Sequence, residues 1–184
     1  MRSHRFMPLL ATALLVPATL AAQAPARRHV AVPTVAPRPE DVATVDGIVK
    51  AYYDVITGPA GQPRQWSRDR SLYIPDLRFV ATGVANGRPY ARVMTHQDFV
   101  DGSDSSLVHD GFFEREIHRV TRSYGNIVQV FSTYEEHRTA GGPPEGRGIN
   151  ALQLFWDGKR WWVASAIWFY EDPAHLIPKE FLPQ

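Results

Sequence analysis

Cysteine is absent from the 184 residues. That excludes disulfides, a thiolate nucleophile, cysteine-ligated zinc and a lipid-modified N-terminal cysteine. An excess of either charge is also missing: 20 Lys and Arg stand against 19 Asp and Glu, a formal net charge of +1. Nucleic-acid binding needs a basic face, so no nucleic-acid partner is expected. After Ala24 no apolar run approaches the roughly 20 residues a membrane helix requires, so no membrane span is expected. Catalytic fingerprints are lacking too. There is no Gly-x-Ser-x-Gly, phosphate-binding loop, dinucleotide motif or His-Glu-x-x-His. His96, His109, His118 and His137 are widely separated and show no paired ligand spacing. No metal and no cofactor are expected.

The chain opens with Arg2, His4 and Arg5, followed by an apolar stretch from Met7 to Ala22 and small residues through Ala24. A basic start, an apolar middle and a small-residue end predict a cleaved secretory leader over residues 1–24. The stretch is too short for an anchor, and Pro17 interrupts it. The chain is therefore expected to be exported, to the periplasm or beyond. Losing Arg2 and Arg5 would take the formal charge from +1 to −1. Residues 25–40 carry Pro25, Pro33, Pro37 and Pro39 without apolar periodicity and read as a flexible or extended spacer. Residues 41–184 are expected to form one domain with a hydrophobic core. Five Trp, seven Tyr and nine Phe, nearly all from Tyr52 onward, supply it.

Within that domain Val42, Val45, Ile48, Val49, Tyr52, Val55 and Ile56 recur at helical spacing, predicting a helix over 40–57 ended by Gly58 and Pro59. A short helix is expected over 66–73. A hairpin is expected over 77–94, turning at Asn86-Gly87. Thr95 with Asp98 reads as a capping box opening a helix through Val100. Ser103, Ser105 and Ser106 then read as turn residues. Four long strands follow, over 112–122, 126–137, 148–156 and 160–170, with hairpins at Ser123-Tyr124-Gly125 and Asp157-Gly158. Helices followed by an antiparallel meander indicate an α+β fold.

Three segments carry a family resemblance: Val45-Asp-Gly-Ile-Val-Lys-Ala-Tyr-Tyr-Asp-Val-Ile56, Leu72-Tyr-Ile-Pro-Asp-Leu-Arg-Phe79 and Asp157-Gly-Lys-Arg-Trp-Trp-Val163. In this order, across roughly residues 40–170, they resemble the nuclear transport factor 2-like, or SnoaL-like, superfamily. The segments 111–117, 131–135, 148–153 and 160–163 are similar to those of exported members without an assigned activity. The resemblance implies a cone-shaped domain, with N-terminal helices packed in a strongly bent antiparallel sheet around a deep pocket. It also implies a homodimer through the outer sheet face. The family includes isomerases, cyclases, dehydratases and non-catalytic binders, so fold does not give function. Tyr52 resembles the oxyanion donor of the steroid isomerases, but Phe79-Val-Ala-Thr82 lacks the carboxylate those enzymes use as a base.

Polar residues in mid-strand are the candidates for chemistry, because burying them without partners is costly. Glu114, Glu116 and His118 share one face by period two, unless a bulge swaps the phase. Val128, Val130, Ser132, Tyr134 and Glu136 share a face of the next strand. Glu116, His118 and Tyr134 are the candidate catalytic set. The competing reading is a solvent-facing ladder of Glu against Arg. Tyr52, Trp66, Phe113, Asn150 and Trp168 are candidate ligand-binding residues. Asn150 and Gln153 have opposite parity, so at most one faces the interior, and Trp161 and Trp162 likewise face opposite ways. Three functions stay open: a binder of a small apolar or aromatic molecule, a cofactor-independent cyclase, isomerase or dehydratase, and an interaction protein docking through its sheet.

Overall fold

The computed structural model describes residues 28–184; the predicted leader and the first spacer residues, 1–27, lie outside the described residues. Residues 28–38 form neither helix nor strand. They are also tied down. The Val30 N–H donates to Asp101 at 2.9 Å, Gln97 donates to the Val30 carbonyl at 2.8 Å, and Val30 and Val32 pack on the core.

The helix expected over 40–57 is two pieces, α1 (Pro39–Val42) and α2 (Val45–Asp54). Thr44 makes the break: it is extended, and its hydroxyl accepts from the Gly47 N–H, so it caps a new helix. After α3 (Trp66–Arg70) come β1 (Phe79–Ala85) and β2 (Arg88–Met94). Their turn is the predicted one, with Asn86 and Gly87 both at positive φ. The Thr95–Asp98 capping box forms as predicted. The helix it opens, α4 (His96–Asp110), runs ten residues past the expected end. Ser103, Ser105 and Ser106 are thus helical rather than turn residues. Tertiary contacts override the weak propensity of this Gly/Ser/Asp stretch. Phe99, Ser103 and Leu107 lie one turn apart along one line of α4 and face the interior.

Strands β3 (Phe113–Tyr124), β4 (Ile127–His137), β5 (Gly146–Trp156) and β6 (Trp161–Tyr170) form the expected meander. The six strands make one sheet in the order β2-β1-β6-β5-β4-β3. Every pairing is antiparallel except β1 with β6, which is parallel, so the sheet is mixed rather than wholly antiparallel. The parallel pair arises because α4 and the meander intervene between β1 and β6, long enough for a crossover.

The core sits between α2 and the inner sheet face. Ile48, Val49 and Val55 meet Leu72, Val100, Val130, Leu152, Leu154 and Val163, all buried. Each such side chain contributes about 1.5–3 kcal/mol when removed from water. Residues 171–184 return across the outer face and include a 3-10 turn, Lys179–Phe181. Phe181 packs on Phe131, ring centroids 5.4 Å apart, and its carbonyl accepts from Thr133 at 2.6 Å. Among the described residues no helix is long and apolar enough to cross a membrane.

Candidate functional site

A partly open cavity of about 150 Å³ lies between α2, α4 and the sheet. Helical spacing puts Tyr52 and Ile56 on one side of it, and Phe99, Ser103 and Leu107 on another. Phe79, Tyr134, Asn150, Trp168 and Tyr170 enter from the sheet, and Tyr73, Phe112 and Glu114 close the ends. Most of this wall is aromatic or aliphatic, and it holds no Lys or Arg.

The acid in the wall is Glu114. Asn150 Nδ2 donates to its Oε1 at 3.1 Å. Among the described residues no cation pairs with it. Burial, reinforced by the negative charge of Glu136, pushes its carboxyl up to about 8 against an ordinary 4.5. Glu114 is therefore mainly a neutral acid at pH 7. The tyrosines around it are held as phenols. Burial raises Tyr52 well above its ordinary value, with Glu114 adding to the effect, and raises Tyr134 and Tyr170 as well. The Tyr170 hydroxyl donates to Glu136 at 2.7 Å, and the Tyr134 and Tyr170 rings meet edge to face at 5.9 Å. Gly148 makes room for this arrangement. A Cβ there would fall on the Tyr134 hydroxyl and within 2.6 Å of the Phe169 carbonyl.

The register explains which candidates meet. Glu116 stands opposite Tyr134, but a bulge between Glu116 and His118 makes His118 the partner of Thr133. Thr133 bonds the C-terminal tail on the outer face, so His118 points away from Glu114 and Glu116. Period-two alternation fails because Ile117 is the extra residue. Glu116 is inside but does not line the cavity. It is gripped by Arg119 and receives a short hydrogen bond from Ser132. The ladder considered for the glutamates is made by their outward neighbours instead, Arg115 with Glu135 at 3.1 Å. Tyr134 does line the cavity.

Of the ligand-binding candidates, Tyr52, Asn150 and Trp168 line the cavity. Trp66 lies behind Phe99, with ring centroids 6.1 Å apart, and its indole N–H donates to Asp104 at 2.6 Å. Phe113 does not line the cavity; it lines a second hollow beside His137, which Glu114 also borders. Asn150 is buried, while Gln153 is exposed.

Sequence reasoning missed the wall formed by α4, and it missed Asp69. Asp69 is fully buried, accepts from the Tyr73 hydroxyl at 2.5 Å and bonds His96 Nε2 at 2.9 Å. Tyr73 and Phe79 stand between this group and the cavity, with His96 packed on both rings at 5.6 and 6.2 Å. Nothing local in the sequence marks that pairing, which spans 27 residues. Among the described residues no cluster of three or more His, Asp or Glu is placed to hold a metal.

Solved structures resemble this architecture. A protein with a cystatin-like fold from Nostoc punctiforme aligns over 70% of this chain and 90% of its own, at 4% identity and a TM-score of 0.53. The beta subunit of a proposed aromatic-ring-hydroxylating dioxygenase from Novosphingobium aromaticivorans aligns over 71% and 88%, at 16% identity and 0.51. A nuclear transport factor 2-like protein from Silicibacter pomeroyi aligns over 70% and 94%, at 15% identity and 0.46. The fold is nuclear transport factor 2-like. At these identities the likeness is one of fold alone. No protein-family model matches the chain, and no curated protein matches it. The cavity itself lies between the inner sheet face and helices α2 and α4.

Proposed function

We propose that this domain, carried by an exported protein, binds a small uncharged ring compound in the cavity beside Glu114. The observation that carries the proposal is the wall itself: aromatic and aliphatic side chains meet one carboxylic acid, and no cation is present. Ligand sites have this make-up, mostly apolar with a few placed polar groups. A cavity of about 150 Å³ accommodates a benzene-sized molecule. Export rests on the leader-like residues 1–24. Native mass spectrometry of protein purified without detergent tests the reading. A ligand-sized excess mass that vanishes on denaturation supports it. Apo protein that stays apo after incubation with ring compounds counts against it.

One observation favours a second reading, a cofactor-independent enzyme of the cyclase, isomerase or dehydratase type. An acid whose pKa sits at about 8 can both give and take a proton near neutral pH. In that reading Glu114 replaces Glu116 and His118 as the acid/base group, with Tyr134 beside it. The discriminating result is turnover abolished by Glu114→Gln while binding survives.

The outer sheet face supports a homodimer. Val93, Val80, Ile167, Ala151, Phe131 and Val120 stand in register across all six strands as one apolar row. The tail covers Phe131, whereas Val93 and Ile167 are 62% and 42% exposed. The uncovered β2-β1-β6 end is the surface a second copy would bury.

A further inference from the structure

A hydrogen-bonded chain leads from the surface to the cavity acid, and the direction of each bond in it is forced. Arg119 holds Glu116 through Nε at 2.9 and 3.0 Å and through Nη2 at 2.7 Å, while its Nη1 reaches Asp46 at 2.6 Å. As the carboxylate partner of an arginine, Glu116 only accepts. Ser132 therefore spends its single hydroxyl proton on Glu116 Oε2. Ser132 Oγ must then accept from the Tyr53 hydroxyl, 2.7 Å away. With its own proton committed, Tyr53 accepts from Asn150 Nδ2 at 3.2 Å. This fixes the orientation of the Asn150 amide, which is otherwise ambiguous. The second hydrogen of the same NH2 goes to Glu114 Oε1 at 3.1 Å.

Glu114 is consequently an acceptor at Oε1. Glu114 is half-buried, and with one neutral donor and no paired cation its protonated form is favoured; that proton belongs on Oε2. Among the described residues Oε2 has no hydrogen-bond partner. It is also not one of the sealed unpartnered atoms, which are Arg64 Nε, His96 Nδ1 and His137 Nε2. Oε2 therefore reaches open space, and Glu114 borders two such spaces, the cavity and the hollow beside His137.

We propose that Glu114 offers its Oε2–H as a donor into the cavity, that the ligand presents an uncharged acceptor such as a carbonyl oxygen, and that Asn150, Tyr53, Ser132 and Glu116 are positioning residues that keep that proton facing inward. The proposal rests on reading the cavity as a ligand site. It goes further in naming the ligand chemistry and the residues that set it. Carboxylate ligands are turned away, because no cation lines the wall and Glu136 lies nearby. Remote Ser132 acts only by direction. Without it, Tyr53 turns its proton to Asn150, the amide reverses, and Glu114 donates to Asn150 instead of to a ligand.

The test uses three probes of one size and shape: toluene, benzaldehyde and benzoate. Binding to the purified chain is followed by ligand-observed NMR. Toluene reports the intact cavity and fold. Benzaldehyde is expected to bind about three- to tenfold more tightly than toluene, the gain of one net hydrogen bond, and benzoate more weakly than either. Glu114→Gln, whose NH2 takes the place of the Oε2–H, keeps the preference; Glu114→Leu loses it. Ser132→Ala is expected to bring the benzaldehyde-to-toluene ratio near one without weakening toluene, and Ser132→Thr to restore the ratio. Equal binding of benzaldehyde and toluene by the unaltered chain overturns the proposal. So does a ratio unchanged in Ser132→Ala. Failure of toluene itself to bind the folded chain removes the cavity reading beneath it, a different result from a ratio of one.

Discussion

Replacing Glu114 with Gln is expected to change how stability depends on pH. In the unfolded chain this carboxyl loses its proton near its ordinary 4.5; in the fold, burial holds the proton to about 8. Below pH 4.5 both states are protonated, and Glu114 contributes no pH dependence. Between the two values the folded chain binds more protons than the unfolded chain, so stability falls as pH rises. Above pH 8 the loss is complete and the curve flattens. Over a span of about 3.5 pH units, at about 1.4 kcal/mol per unit, the loss reaches at most about 5 kcal/mol. It is an upper limit because the cavity beside Glu114 admits solvent. Gln keeps the shape and the acceptor for Asn150 but does not titrate. Urea denaturation of both proteins at pH 5, 6, 7 and 8 measures the difference, with other titrating groups cancelling. The Gln variant is expected to match the native chain within about 1 kcal/mol at pH 5 and to exceed it increasingly toward pH 8. Parallel stability curves across that range would refute the burial of an ionisable acid at this position.

Other substitutions probe the frame of the site. Gly148→Ala puts a Cβ against the Tyr134 hydroxyl and the Phe169 carbonyl, and a loss of about 1–3 kcal/mol is expected in thermal denaturation. Asp69→Ala strands the buried Tyr73 hydroxyl and His96, with an expected loss of about 3 kcal/mol or more by urea titration. Thr95→Ala removes half of the capping box of α4 and is expected to cost about 1 kcal/mol, together with faster amide exchange in residues 96–99. Val93→Lys with Ile167→Lys charges the open end of the outer face; light scattering is expected to show a dimer for the native chain and a monomer for the double variant.

Local signals were well written in the sequence. Asn86-Gly87 and Thr95 with Asp98 each specify a turn or a cap through residues within a few positions, and both formed. The meander was legible because apolar periodicity and turn residues recur along it. The site was legible only in part. Glu114 and Glu116 share a face with Tyr134 and Ser132 only once β3 and β4 are in register, and the bulge at Ile117 that turns His118 outward leaves no trace in composition. The length of α4 was hidden for another reason: Ser103, Ser105 and Ser106 favour turns locally, and the helix persists because Phe99 and Leu107 find apolar neighbours across the cavity. The Asp69–His96 pair and the Arg119-to-Glu114 chain join residues far apart in sequence, so only the folded chain brings them together.

The central claim is that a small uncharged ring compound occupies the cavity beside Glu114. Methyl-labelled protein titrated with benzaldehyde tests it most directly, because Ile56 and Leu107 both line that cavity. Saturable shifts centred on the Ile56 and Leu107 methyls, with exposed Val93 and Ile167 unmoved, are the predicted result. Shifts absent from Ile56 and Leu107, or concentrated on the outer face, would contradict it.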